Sequence, residues 1–186
     1  ITGATGTASG APITLSGDTA TLSGTGVTFP AGHIISFATG TLTRSSDLAI
    51  GDSDYHLTTL SCDLVTTSTS NKIVVQYMIP DIYNLANAAN ACHMGVRYNV
   101  GTGDFDNSAS QQLGGRKFVS GYVAYTGPGD AALTNAVIMV SATVPTVNTL
   151  RLYPILQGNS GGVELFDNAS TSTLDEATII AYEIKQ

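Results

Sequence analysis

The chain has 186 residues, of which 11% are charged and 42% hydrophobic, and its formal net charge at pH 7 is −7. Its seven basic residues are spread too thinly to form a stripe for a nucleic-acid backbone, and no run of about 18 apolar residues is present to span a membrane. The missing charge is replaced by Thr, Ser, Gly and Asn, which is typical of exposed strands and turns rather than of helices or a disordered chain.

Residues 1–29 differ in composition from the rest, because they contain one charge, Asp18, and are dominated by Thr, Gly, Ser and Ala. Residues 13–15 and 20–22 alternate briefly between glycines, as short strands do. Such strands cannot bury a face alone, so we expect a stem in which identical chains lie side by side; the alternative is a flexible linker. Residues 1–10 have the character of the middle of a pattern, and we therefore expect further chain before Ile1.

Residues 29–32 (FPAG) predict a turn, and a head domain is predicted over residues 30–186. Strand-like runs follow at the spacing expected of a sandwich. They span residues 33–43, 55–65, 72–79, 92–100, 117–125, 135–143, 149–157, 162–166 and 177–185. The predicted fold is all-β: an antiparallel, jelly-roll-like β-sandwich preceded by a short Gly/Thr/Ser-rich β stem.

The hydrophobic pattern of individual runs predicts their places in the sheets. Residues 72–79 are apolar on both faces, which indicates a central strand, whereas residues 92–100 alternate between an apolar and a polar face. Residues 81–91 are rich in Asn and Ala and predict one or two helical turns. Cys62 and Cys92 each have apolar neighbours, so we expect two buried thiols, with a mutual disulfide as the alternative.

Three stretches of the head share a pattern with a known family. They are residues 33–37 (HIISF) after PAG, residues 55–61 (YHLTTLS) with residues 67–75 (TSTSNKIVV), and residues 177–184 (ATIIAYEI). Together they resemble the carboxy-terminal domains of tailed-phage virion proteins, common in marine and cyanobacterial phages, which end tail fibres, head fibres or other capsid appendages. Residues 81–91 and 101–115 depart from that pattern as longer inserts.

The resemblance implies a virion structural role and a homotrimer, and it brings no catalytic motif. It further implies a place on the surface of the particle after assembly in the host cytoplasm, with other virion proteins bound through the amino-terminal stem. A capsid decoration protein is the second hypothesis, and a glycan-degrading spike enzyme is the third.

Residues that could carry chemistry do not form a recognisable site in the sequence. The acidic stretches 51–54 and 103–108 lack the glycine turn and distant Glu of a calcium loop, and the three histidines and two cysteines lack zinc-site spacing. Nothing marks a pair of carboxylates for glycoside hydrolysis, so solvated or interface carboxylates are expected. The residues considered for that pair are Glu164, Asp167, Asp175, Glu176 and Glu183. We therefore expect no enzyme, metal or cofactor.

Host recognition, if this is an adhesin, is predicted in loops, because sequence variation disturbs a sandwich least there. Residues 81–91 and 101–115 flank one strand and must emerge at its opposite ends. Simple hairpin connections place residues 81–91 at the tip farthest from the stem, joined there by residues 126–133. The predicted contacts with a host-surface glycan or protein are Tyr83, Asn84, Asn87 and Tyr125.

Overall fold

The computed structural model describes residues 13–16, 19–22, 30–44, 48–51, 53–84, 92–103, 105, 108–119, 134–158, 163–165 and 175–186. At residues 13–16, 19–22, 81–84, 92, 116–119, 134–136, 163–164 and 175 it describes the backbone alone. Regular structure in these ranges is all β, and none of them holds a helix long and apolar enough to cross a membrane. The strands are β1 Ile13–Ser16, β2 Thr19–Leu22, β3 Ile34–Arg44, β4 Leu48–Ile50, β5 Tyr55–His56, β6 Cys62–Val65, β7 Lys72–Asn84, β8 Cys92–Val100, β9 Gln111–Val119, β10 Thr134–Thr143, β11 Thr149–Gly158, β12 Val163–Leu165 and β13 Asp175–Ile184.

The long strands form two antiparallel sheets with jelly-roll topology. The first sheet has the order β3-β13-β7-β10, and the second has the order β6-β11-β8-β9. Consecutive long strands alternate between the sheets except for β8 and β9, and the first long strand lies beside the last, as in two interlocked Greek keys. Short strands β12 and β4 extend the first sheet to six strands and β5 extends the second to five. The predicted sandwich is confirmed, and β1 and β2 form a separate hairpin.

The core lies between the six-stranded and five-stranded sheets. Alternation along β7 turns Ile73, Val75, Tyr77 and Ile79 inward, where each is at most 1% exposed. They share one cluster of buried side chains with residues of the other sheet, such as Leu152 of β11. Burial of each large apolar side chain stabilises the fold by about 1.5–3 kcal/mol. The predicted central place of residues 72–79 is confirmed, because β7 pairs with β13 on one side and β10 on the other.

The predicted strand at residues 55–65 is wrong as a single strand, because a turn divides it into β5 and β6. Leu57 and Leu60 in that turn are at most 1% exposed and belong to the core. The turn also brings Ser61 against Gly40 of β3, where a Cβ on Gly40 would overlap the Ser61 carbonyl oxygen. Close packing between the two sheets therefore overrides local β propensity at this corner.

Two further predictions need correction. Residues 81–84 continue β7 as a strand and form no helical turn, because Ile82 pairs with β10 and Tyr83 with β12; residues 85–91 lie outside the described chain. The strand predicted at residues 117–125 is β9, which begins at Gln111 and shortens the predicted 101–115 loop. Its polar first residues are held by pairing with β8, and a bulge follows near Gly114, whose φ is +64°.

Strand directions define two ends of the sandwich. At the proximal end, where Pro30 begins the described head, Ile184 pairs with both Ile34 and Lys72, so β3 and β7 both start there. The connection 101–110 between β8 and β9 also lies at the proximal end, since Val100 pairs with Leu150 and the Gly101 N–H donates to Thr149. The distal end therefore joins β7 to β8 and β9 to β10, as the predicted chain direction requires.

Candidate functional site

Two of the four predicted contact residues, Tyr83 and Asn84, lie at the distal end of the sandwich. Tyr83 and Asn84 are the last two residues of β7, beside β12, and the structure describes their backbone alone. Asn87 and Tyr125 lie outside the described residues. The contact role of these four residues stays a prediction.

Among the described side chains of β3, β13, β7 and β10, the outer face of the six-stranded sheet carries no charge between its rims. Pairing aligns three rows across β3, β13, β7 and β10, all with outward-facing side chains. The rows are Phe37-Tyr182-Val74-Ser141, Thr39-Ile180-Gln76-Met139 and Thr41-Thr178-Met78-Val137, and we call these twelve residues the uncharged face. None is buried, and Phe37 and Met139 are 70% and 62% exposed.

The rims of the uncharged face carry opposite charges. Exposed Lys72 marks the proximal rim, and exposed Glu176, paired with Thr43, marks the distal rim. Sequence reasoning missed this face, although Val74 and Met78 on the outer side of β7 are apolar side chains that are not fully buried. Apolar side chains in outward positions of a central strand are a signal of a surface that another element or chain contacts.

On the outer face of the five-stranded sheet, two arginines fasten the β8–β9 connection. Arg151 Nε and Nη2 donate to Asp63 Oδ1 and Oδ2 at 2.8 and 2.9 Å, and its Nη1 donates to the Gly103 carbonyl at 2.7 Å. Arg97 donates to the Ser110 hydroxyl and carbonyl at 2.8 and 2.6 Å. These guanidinium bonds serve the fold and hold the connection against the sheet.

An aromatic cluster lies under that connection. The Phe105 ring meets Tyr153 edge-on at 4.8 Å between centroids, and the Arg151 guanidinium lies 5.3 Å from the Phe105 centroid. The His56 ring is 5.9 Å from Tyr153 on the same face. Tyr153 is completely buried, and its hydroxyl makes no hydrogen bond.

Glu183 of β13 is buried at the proximal end and fastens the connection between β6 and β7. Its carboxylate accepts hydrogen bonds from the Thr67 N–H at 2.9 Å, the Ser68 N–H at 3.1 Å and the Asn71 amide at 2.8 Å. The Thr67 hydroxyl donates to it at 3.1 Å. The expectation of a solvated or interface carboxylate is wrong for Glu183, because four donors satisfy it inside the fold.

The remaining carboxylates considered for hydrolysis do not meet at a described site. Glu176 is exposed on the outer face of β13. Glu164 and Asp175 lie in strands whose side chains are not described there, and Asp167 falls outside the described residues. A cleft of about 520 Å³ adjoins the residues that donate hydrogen bonds to Glu183. It is lined by Ile35, Thr67, Ser68, Ser70, Asn71, Lys185 and Gln186. None of these seven residues has a side-chain carboxylate.

Cys62 is a free, buried thiol on the inner side of β6, so the prediction of burial is confirmed for this residue. Burial, with a smaller effect from the Asp63 carboxylate, raises the pKa of Cys62 from 9.0 to about 12. The Cys92 side chain is not described. Within the described ranges, no three His, Cys, Asp or Glu residues are grouped so as to hold a metal ion.

Comparison with known proteins identifies no family for the chain. No protein-family model matches it, and no curated protein matches it. Among solved structures, the CBM22-1 xylan-binding domain of Xyn10C from Paenibacillus barcinonensis is similar over 86% of this chain and 99% of that one. The identity is 12% and the TM-score is 0.34, a likeness too distant to bear on what this chain binds.

Proposed function

We propose that the chain is a non-catalytic module of a virus-particle appendage, with a stem at residues 1–29 and a jelly-roll head that contacts the host surface. The observation that carries the proposal is the direction of the strands. β7 and β9 both end at the distal end of the sandwich, opposite Pro30, and the predicted contact residues are the last residues of β7 or follow these two strands in the sequence. Side chains tie down the described connections at the proximal end, so the sandwich is a firm support for a contact at its other end.

The proposal includes a homotrimer, bound to other virion proteins through the stem. Residues 13–16 and 19–22 pair as a two-stranded hairpin, which is too small to be stable alone in water. Side-by-side copies would supply the surface that such a hairpin lacks. The location is then the surface of the virus particle.

The use of polar groups in the described head supports a non-catalytic role. Asp63, Arg97, Arg151 and Glu183 are engaged in bonds that fasten connections or strands. A hydrolase needs two carboxylates that face one substrate groove with separated pKa values. The described carboxylates instead lie at separate places in the sandwich.

Competition for host attachment tests the proposal. Purified chain should block adsorption of the virus to its bacterial host, and joint replacement of Tyr83 and Asn87 by Ala should remove the block. The matched control replaces Thr69 and Thr102, exposed on proximal connections, by Ala and should leave the block intact. Equal blocking by both double variants would refute the distal contact.

Two other outcomes would favour the alternative functions. If the wild-type chain does not compete and antibody against it labels the whole capsid shell, the decoration role replaces attachment. Release of reducing ends from host polysaccharide by the purified chain would establish the enzyme instead.

A further inference from the structure

The uncharged face is the part of the described surface where the exposure of large apolar side chains most needs an explanation. Phe37, Met139 and Val137 are 70%, 62% and 55% exposed, and Tyr182, Ile180, Val74 and Met78 lie half-buried between them. Isolated exposed apolar side chains are ordinary, but here seven apolar or aromatic side chains adjoin one another on one sheet face, with Thr, Ser and Gln between them. Contiguous apolar patches of this size are often functional.

Charge indicates what can approach this face. The chain has a net charge of −7, so copies of it repel one another over most orientations. The twelve residues of the uncharged face include no ionisable carboxylate, Lys, Arg or His. A second copy can therefore meet this face without placing charge against charge, whereas a strongly basic partner would find no carboxylate there to bind.

The position of β3 indicates how copies would meet. β3 begins four residues after Pro30, and Phe37 lies only about 13 Å along the strand from His33, at about 3.3 Å per residue. Chains joined through residues 1–29 would therefore have the starts of their β3 strands, at the proximal ends of the heads, near one another.

The size of the face explains why the stem is needed. Four strands about 4.8 Å apart and five residues about 3.3 Å each span roughly 19 by 17 Å, about 300 Å² before side-chain relief is counted. A standard interface buries about 800 Å² on each partner. The face alone makes a weak contact, and a stem that holds the heads together raises their effective concentration to about the millimolar range.

We infer that the uncharged face, centred on Phe37, Ile180 and Met139, is the surface through which the heads of neighbouring copies pack in the assembled protein. This inference rests on the proposed homotrimer and adds the contact between its heads. Phe37 is the expected anchor, because it is the most exposed large apolar side chain of the described residues and lies in the row nearest the proximal end.

Methionine oxidation tests the inference on the full chain, which contains three methionines in informative positions. Met139 and Met78 belong to the uncharged face, whereas Met94 is 0% exposed in the core and serves as the internal reference. We expect peroxide to oxidise Met139 of the assembled protein at least about ten-fold more slowly than free methionine. Light scattering on the same sample reports the number of chains.

A charge on the face supplies the matched comparison. Phe37→Lys should weaken assembly about ten-fold or more and restore Met139 oxidation, because it removes the anchor and sets like charges together. Val65→Lys, at a side chain 56% exposed on the other sheet, should change neither. A trimer with freely oxidised Met139 would refute the face while keeping the trimer. A stable monomer would refute both, and protection of Met139 in a monomer would show that the chain covers its own face.

Discussion

The two sheets use their polar groups in opposite ways. The six-stranded sheet turns Glu183 inward, where four donors bind its carboxylate, and leaves its outer face uncharged and exposed at Phe37. On the five-stranded sheet, Arg97 and Arg151 on the outer side fasten a connection over buried Tyr153. The five-stranded sheet thus makes its described polar bonds on its outer side. The six-stranded sheet binds Glu183 inside the fold, and its outer side is the uncharged face proposed to contact neighbouring copies.

This difference indicates which substitutions unfold the head and which disturb only its associations. Bonds to Glu183 and Arg151 join segments distant in sequence, so their loss should lower the stability of the folded chain. Substitutions on the uncharged face remove no bond of the single chain, so their effects should be confined to assembly. Unfolding of single-substitution variants in urea measures the first group directly.

The largest expected effect is that of Glu183→Ala. The substitution removes the carboxylate that accepts hydrogen bonds from the Thr67 and Ser68 N–H groups and from the Asn71 amide. The free energy of unfolding measured in urea should therefore fall by about 3 kcal/mol or more. Glu176→Ala, at an exposed position of the same strand, is the control and should change stability by no more than about 0.5 kcal/mol. A loss below about 1 kcal/mol for Glu183→Ala would show that the hydrogen bonds to Glu183 contribute little to stability.

Arg151→Ala should have the next largest effect, about 1–2 kcal/mol, because it removes three hydrogen bonds and the guanidinium contact with Phe105. Arg151→Lys keeps the charge but not the planar fork, so it should recover less than half of the loss. Lys72→Ala, at the exposed rim of the other sheet, should be nearly neutral. If urea unfolding gives the same stability for Arg151→Ala and Lys72→Ala, the stability of the head does not depend on the hydrogen bonds of Arg151.

The sequence predicted the parts of this comparison that depend on local alternation. The strand at residues 92–100 followed from alternating side chains and the central strand at residues 72–79 from a run that is apolar on both faces. The strand directions followed from the assumption of simple hairpin connections. The hydrogen bonds of the Glu183 carboxylate could not be found in that way, because they join β13 to Thr67, 116 positions earlier. The uncharged face likewise needs the register that sets Phe37 beside Tyr182 and Tyr182 beside Val74.

Local propensity failed where tertiary packing decides the backbone. The sequence around residue 60 favours a continuous strand, but Leu57 and Leu60 gain more by turning into the core. At the start of β9, Gln111 and Gln112 carry no strand signal and are held by pairing with Tyr98 and Arg97. Strands of three residues, such as β4, are too short for any periodicity to show.

Ionisation of Cys62 should make the free energy of unfolding depend on pH, and the expected effect is of intermediate size. The unfolded thiol ionises near pH 9.0, whereas burial keeps the folded thiol protonated up to a pKa of about 12. The stability linked to this group is complete below pH 9 and is lost between pH 9 and 12, at about 1.4 kcal/mol per pH unit. Between pH 8 and 10 the wild type should lose about 1.4 kcal/mol more than Cys62→Ala, in which all other groups titrate alike. Parallel pH profiles would place the thiol in contact with solvent.

The smallest effect separates two buried tyrosines, one from each sheet. The Tyr77 hydroxyl donates across the core to the Gly95 carbonyl at 3.2 Å, whereas the equally buried Tyr153 hydroxyl makes no hydrogen bond. Tyr77→Phe should therefore cost about 1 kcal/mol, since it leaves a buried carbonyl with one partner fewer. Tyr153→Phe removes a hydroxyl that lost its water on folding without replacement, so it should leave stability unchanged or raise it by up to about 1 kcal/mol. The Phe105 contact is kept in that variant, because it involves the ring and not the hydroxyl.

Thermal unfolding of the two variants decides the point: an equal loss of stability in both would mean that the Tyr153 hydroxyl is hydrogen-bonded in solution. The outer face of the five-stranded sheet would then be held by a polar contact as well as by aromatic packing.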